Sequence, residues 1–538
     1  MIPIHERNPR LSRSPLALAC VALGACVALG GCGALIGIHD VERDTASGGA
    51  GGAGGAGGAG TAGGGDVPCE PGQEIACYDG EPGTEGVGLC KAGTRACGDE
   101  AAACEGQVLP AAEDCAAPGD EDCDGSACGE IVWARAFGDP ASQEIGDIAA
   151  DAEGNVYLLG QYEGTMTFGQ TALASSPDIP GFDRPAYLAR LSSEGAPLWA
   201  KRYGITFNVG IDVAPTGELG VALFAPDGDQ TVIEGKLASG LVAFSLMPDG
   251  TPKWVSPCGG HAGYETSEHG DVSFAPDGTL LVFSVMAGGC LTLDDAAGTH
   301  LGAFDAAGQL AWRLAVGNSI YERVGGVAAT SGYREAFVMY GRTETSLGAL
   351  ALKSYSSTPT VAAEFSDYPY FPVAPDGFSG AVAAGTFSGS LTIQGETRAA
   401  FTERDVFVAR FSERGQLKWF TSFPNADVSS VAVVGDMVFL AGTFAGTTKF
   451  GDTELTSKGM RDIWLARLGL GSDPSGPPGG TPLWARSYGG PDDERKAMVA
   501  ATRKAVFLAA EFMGEADFGG EVLTSSGESD IAVLRVDP

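Results

Sequence analysis

The feature that most constrains this 538-residue chain is an internal repeat marked by tryptophan. Trp133, Trp199, Trp254, Trp312, Trp419 and Trp484 each sit in a short strand that often ends in glycine, as in Trp199-Ala200-Lys201-Arg202-Tyr203-Gly204. They recur at roughly 58-residue intervals, with one double interval where Phe365 takes the marker's place, so the units number about seven. Within a unit the order is constant. A turn and an apolar strand (Asp151 to Gly160) lead to a strand ending Phe168-Gly169; then come a strand such as Tyr187 to Leu191, a glycine-containing turn and the Trp strand. The second element returns as Phe450-Gly451 and Phe518-Gly519, and the third as Asp405 to Arg410, Asp462 to Arg467 and Asp530 to Arg535.

These four elements per unit predict a four-stranded blade. Pro-Asp-Gly turns at Pro226, Pro248, Pro276 and Pro375 fit tight connections between strands. With 82 glycines and no helical periodicity, long helices are disfavoured, and the expected fold is an all-β propeller of about seven blades over residues 131–538. Residues 313–365 depart most from the pattern. The strand at 131–138 has no unit before it and the last unit lacks a Trp strand, so pairing the two would close the ring and remove two sheet edges.

The Trp-Ala-Arg-x-x-Gly strand, the Gly-Asn-Val-Tyr strand, Phe-Gly and the Asp-x-x-x-x-Arg strand together resemble the SBBP-repeat β-propeller proteins over about three quarters of the chain. That resemblance implies blades and is silent on activity.

The start of the sequence is an address. Arg7, Arg10 and Arg13 precede an uncharged apolar run over 15–38, the pattern of a secretory signal. Leu29-Gly30-Gly31-Cys32 resembles the lipobox of bacterial lipoproteins, which implies a signal peptide over 1–31 and a diacylated Cys32; Leu23-Gly24-Ala25-Cys26 is a weaker match. Gly33 after the cysteine implies outer-membrane sorting, and a plain transmembrane anchor is the alternative. Residues 32–66 form a linker whose Ala/Gly tract, 46–65, buries nothing and reads as a disordered tether with a reach of roughly 25 Å.

Residues 67–130 hold Cys69, Cys77, Cys90, Cys97, Cys104, Cys115, Cys123 and Cys128, an even set expected to staple a small exported module that has little core of its own. Zinc is the rival, disfavoured because no pair has the two-residue chelating spacing. Eight cysteines allow 105 pairings and the sequence does not choose among them. Asp120, Asp122 and Asp124 stand at positions one, three and five before Gly125, the first half of a calcium loop. No acid stands at position twelve, where Ile131 lies, so an acidic turn without a ligand is the competing reading. The stretch resembles bacterial surface modules described as metal-binding, where Asp-Cys-Asp-Gly is typical. In the propeller, Cys258 and Cys290 each adjoin a glycine pair and are expected to form a disulfide within the third blade; two buried thiols are the alternative.

Charge and chemistry narrow the function. With 33 basic against 68 acidic residues, net charge −35, the chain cannot neutralise a phosphate backbone, which excludes nucleic acid. Five histidines, one of them His5 in the signal, leave few places for a Ser-His-Asp set, and no nucleophile elbow or phosphate loop is present. The one cluster is His261, Glu265, Glu268, His269 and Asp271, a metal candidate or a solvated loop. The expectation is a lipid-anchored, non-catalytic propeller of the cell envelope that binds a protein or glycan partner, with calcium as the one candidate cofactor. A quinone- or metal-dependent enzyme using the central channel, or an envelope assembly scaffold, is the alternative.

Overall fold

A sheet sandwiched between two others must be apolar on both faces, and the middle strands here are near-continuous apolar runs. Leu219–Ala225, Gly240–Leu246 and Val506–Phe512 are buried at every position, whereas the strand Pro252–Gly259 is mostly solvent-accessible. In the computed structural model, the described residues are 73–97, 103–111, 119–121, 123, 127–174, 184–205, 207–225, 231–259, 270–286, 289–291, 298–316, 323–330, 335–343, 346–353, 356–364, 371–472, 474 and 476–538. They belong to one compact unit, Asp66–Pro538; Cys32 and the tether lie outside them.

The architecture is an all-β propeller of four-stranded antiparallel blades. The blade over 143–205 orders Gln143–Ala150, Val156–Tyr162, Pro185–Leu191 and Pro197–Ile205 from the channel outward. The blades over 207–259, 270–315, 373–423 and 427–488 repeat this order. Between the third and the fourth of these stretches, Arg323–Ala329, Glu335–Thr343, Ser346–Lys353 and Ser356–Glu364 form a further four-stranded sheet. The final blade joins Ala497–Ala501, Val506–Phe512 and Asp530–Val536 to the strand Ile131–Phe137, which pairs Ala134 with Leu534 and Phe137 with Ile531. The ring is therefore closed by segments from opposite ends of the propeller sequence.

Two details differ from the sequence reading. The Phe-Gly element is not a blade strand: Thr165–Phe168 pairs with Thr171–Ala174 in a separate hairpin, as do Thr447–Phe450 with Thr453–Thr456 and Glu515–Phe518 with Glu521–Thr524. These hairpins lie along the exposed outer strands and shield them, as where Glu521 Oε2 accepts from Ala134 N at 3.1 Å and Lys236 Nζ donates to Val255 O at 2.6 Å. The true first strand of each blade, such as Gln143–Ala150, carries only a two-residue aspartate-aliphatic step in some blades and no long repeated signature. Of the Pro-Asp-Gly turns, those at Pro248, Pro276 and Pro375 connect adjacent blade strands; Pro226 and Phe365 lie outside the described residues.

The repeated tryptophan and arginine lock several blades to the next by hydrogen bonds, though Trp484 Nε1 has no partner and meets the following segment by packing alone. Trp199 Nε1 and Arg190 Nη1 both donate to Pro248 O, at 2.9 and 2.8 Å, and Trp419 Nε1 and Arg410 Nη1 both donate to Leu470 O, at 2.9 and 3.1 Å. The turn glycine of the following blade lies flat on the indole: a Cβ at Gly250 would sit 3.3 Å from Trp199, and one at Gly308 2.5 Å from Trp254. Gly250 also has φ +84°, which only glycine adopts without strain. Arg410 is held by Asp376 at 2.8 Å, and both are nearly buried. Replacing Arg410 with Lys keeps the charge and loses the forked geometry, so urea unfolding should show a loss of about 1–2 kcal/mol. An unchanged midpoint would mean that the bond to Leu470 contributes nothing.

Disulfides pin the rest. Cys77–Cys104 and Cys90–Cys123 have Cα separations of 5.8 and 5.9 Å, and Cys97 and Cys128 are also disulfide-bonded; Cys69 and Cys115 lie outside the described residues. Cys258 and Cys290 are joined with Cα atoms 4.9 Å apart. The bond runs between blades rather than within one, because Cys258 lies in the outer strand Pro252–Gly259 and Cys290 follows the second strand of the next blade. The cysteine-rich module seats on the propeller through Gly129 N to Asp537 O, 3.0 Å, and Arg486 Nη2 to Cys128 O, 3.1 Å.

Candidate functional site

The innermost strands surround a channel cavity of about 230 Å³, lined by Asp147, Asp212, Asp271, Val373, Ser430 and Val499 among others. Each inner strand must satisfy N–H groups that face a neighbouring blade rather than a partner strand, and side chains do this around part of the ring. Asp147 accepts from Ile211 N at 2.8 Å, Asp212 from Phe274 N at 2.6 Å and Asp271 from Val327 N at 2.8 Å. Ser273 and Ser430 play the same part toward Ala329 N and Val499 N, at 3.0 and 3.1 Å.

The three carboxylates touch channel solvent yet sit deep in the disc. Burial pushes Asp147 up to about 6, against the hydrogen bonds from Ile211 and Ile148 and the charge of Lys496. Asp212 is pushed up to about 7 by burial, opposed by the Phe274 and Val213 N–H groups and reinforced by Asp147. Asp271 is raised well above the ordinary carboxylate range by burial and then by the charges of Asp147 and Asp212. The sequence groups Asp271 with His261, Glu265, Glu268 and His269. Asp271 instead lies in the strand Gly270–Phe274, facing the channel, and the other four lie outside the described residues. Asp147 and Asp212 were missed; an aspartate followed by a β-branched residue, shared by Asp147-Ile148, Asp212-Val213 and Asp271-Val272, is the short signal that links them.

The two ends of the disc differ. One end carries the tight glycine turns between first and second and between third and fourth strands. The other carries the longer connections into the third strand, including 400–404 and 457–461. On that end Phe401 and Met460 occupy corresponding connections in adjacent blades and are 74% and 66% exposed, the two most exposed large apolar side chains among the described residues. Beside them, Arg404 pairs with Asp427 at 2.6 Å and Arg461 with Asp493 at 2.8 Å.

In the module, Asp120 is nearly buried with its carboxylate against Gly88, and Asp122 and Asp124 lie outside the described residues. Among the described residues no group of three or more His, Cys, Asp or Glu side chains gathers as a metal shell, and no helix is long and apolar enough to cross a membrane.

No protein-family model and no curated protein matches the chain. Solved structures similar to it include the endosialidase of phage phi92, with TM-score 0.38, 11% identity and coverage of 76% of this chain and 69% of that one. Others are the C-terminal WD40 domain of Sif2 (TM-score 0.35, 8% identity, 76% and 98% covered) and the quinohemoprotein alcohol dehydrogenase of Comamonas testosteroni (0.33, 10%, 74% and 76%). At these scores the likenesses carry no reading of activity.

Proposed function

We propose that this chain is a lipid-anchored, non-catalytic β-propeller of the bacterial envelope that binds a protein or glycan partner through the end of the disc bearing Phe401 and Met460. The observation that carries this reading is the pair of exposed apolar side chains in equivalent connections of neighbouring blades, each within three residues of an arginine, a composition typical of interface anchors. Connections on a rigid ring can vary without disturbing the core, which suits them to recognition. The succession of four-stranded sheets, the one at 323–364 included, supports a count of seven blades, and the repeated Trp and Asp-x-x-x-x-Arg strands support kinship with SBBP-repeat proteins. Lipidation at Cys32 with outer-membrane sorting, and calcium at Asp120, Asp122 and Asp124, belong to the same proposal and rest on their motifs.

Cross-linking in intact cells, followed by capture of the full-length chain, tests the binding face. The expected result is that Phe401→Ser combined with Met460→Ser, both at exposed positions, reduces recovery of the partner at least tenfold with folding unchanged. Equal recovery by wild type and variant would overturn the assignment of this face. The enzyme reading draws on the perturbed channel carboxylates. Their engagement by N–H groups of the next blade favours a structural role.

A further inference from the structure

At corresponding points of its last two blades, the propeller places one buried aspartate over a glycine, and what it sets opposite that aspartate differs. In the closing blade Asp530 starts the third strand, Gly138 follows the outer strand, and Gln143, whose N–H donates to Ser529 O at 3.0 Å, faces the aspartate. In the preceding blade the same places are taken by Asp462, Gly489 and Glu494, whose N–H donates to Arg461 O at 3.0 Å. A Cβ at Gly138 would lie 2.2 Å from Asp530 Oδ1 and 2.6 Å from Gln143 Oε1; one at Gly489 would lie 2.8 Å from Asp462 Oδ1 and 2.7 Å from Glu494 Oε2. The geometry is shared while an acid replaces an amide.

The amide is satisfied. Gln143 Nε2 donates to Asp139 Oδ1 at 2.9 Å and Glu163 O at 3.3 Å, and its Oε1 accepts from Asp139 N at 3.1 Å. The acid is not. Glu494 is fully buried, and both its carboxylate oxygens and Asp462 Oδ1 lack a hydrogen-bond partner. The N–H groups of Gly490 and Glu494 temper the proton affinity of the carboxyl without closing a hydrogen bond. The nearby cations are committed elsewhere: Lys458 Nζ to Asp517 at 2.8 Å, and Arg461 to Asp493. The Lys458 charge and backbone N–H, the latter 3.0 Å from Asp462 Oδ2, favour ionisation of Asp462 alone. Two buried carboxylates with three unsatisfied oxygens and no ion-paired cation are costly unless something positive sits between them.

We infer that Asp462 and Glu494 bind a hard divalent cation, of the calcium class, at the junction of these two blades. Three carboxylate oxygens supply the charged part of such a shell, and calcium accepts backbone carbonyls and water for the remainder. Backbone oxygens lie close by, since the carbonyls of Gly490 and Pro491, in the loop that leads to Glu494, face Gly459, three residues before Asp462. A cation here would tie the third strand of one blade to the loop that enters the next.

The test is to dialyse the purified full-length protein against calcium chloride, count bound calcium by elemental analysis, and record melting with calcium and with chelator. Glu494→Gln installs the residue that the next blade already tolerates, and should retain one calcium fewer per chain than wild type with a smaller calcium-induced rise in melting temperature. Because the comparison is a difference, calcium held by the cysteine-rich module cancels. Asp462→Asn provides the same reading should Glu494→Gln not fold, and Gln143→Glu, which builds a second acid pair, should gain one calcium. Equal calcium in wild type and in the folded Glu494→Gln or Asp462→Asn protein would overturn the site.

Discussion

Raising the pH from 5 to 8 in the presence of a chelator should lower the melting temperature of this protein by several degrees. Seven described acids take up protons more readily in the folded state than in the unfolded chain, Asp271, Asp462 and Asp530 through burial above all. Burial lifts Asp147 to about 6 and Asp212 to about 7; burial, then repulsion from Asp462, lifts Glu494 to about 7; burial, tempered by Lys496, lifts Glu511 to about 7. Ordinary values lie at 3.8 and 4.5. Between those limits the folded protein holds more protons than the unfolded one, so stability falls as pH rises from about 4.5 through about 7, and Asp271 carries the fall further. One unit corresponds to about 1.4 kcal/mol; channel water at Asp147 and Asp212 and mutual coupling reduce the sum to a few kcal/mol. Below about pH 4 the trend reverses, because Asp493 and Asp517, held low by hydrogen bonds from Arg461 and Lys458, lose their partners on protonation. A melting temperature that is flat or rises between pH 5 and 8 would mean that these carboxylates are hydrated as in the open chain. Saturating calcium should flatten the part of the slope due to Glu494.

Trp464→Ala should cost about 3–5 kcal/mol in urea unfolding, the range for emptying a large aromatic site. Trp464 is the one tryptophan outside the repeat series and is fully buried in the strand Asp462–Gly469. Its ring centroid lies 4.7 Å from that of Phe450, which in turn lies 5.0 Å from Phe423. Its Nε1 donates to Asp427 O at 3.0 Å and Thr443 O at 3.3 Å, so the truncation also removes a buried hydrogen-bond donor. Trp464→Phe retains most of the volume and should recover more than half of the loss. A cost below about 1 kcal/mol for alanine would show that the cluster collapses around the gap.

The blades were legible because their repeated residues do repeated work. Tryptophan and arginine recur since each clamps the next blade, and glycine recurs where it must lie on an indole. The innermost strand was illegible for the opposite reason. Ala497–Ala501 and Val373–Pro375 are short, of small residues, and held by a neighbour's side chain as much as by a pattern of their own. Phe168-Gly169 misled because a hairpin beside the sheet and a strand within it both read as alternation ending in a turn. The pairing of Asp462 with Glu494 could not be read at all, since 32 residues of chain separate two acids that only the blade junction brings together.

The closing strand has a kinetic consequence. Ala134 and Glu521, 387 residues apart, meet only when the last blade is assembled, so the contacts that complete the ring carry the largest loop-closure entropy in the fold. Early blades can form by local hairpin pairing, but Ile131–Phe137 must wait as an unsatisfied edge, and during that wait it is a template for any other unpaired strand. Ring closure by this strand is therefore the step expected to fall latest in folding, and substitutions in Ile131–Phe137 should slow the last refolding phase more than the earlier ones.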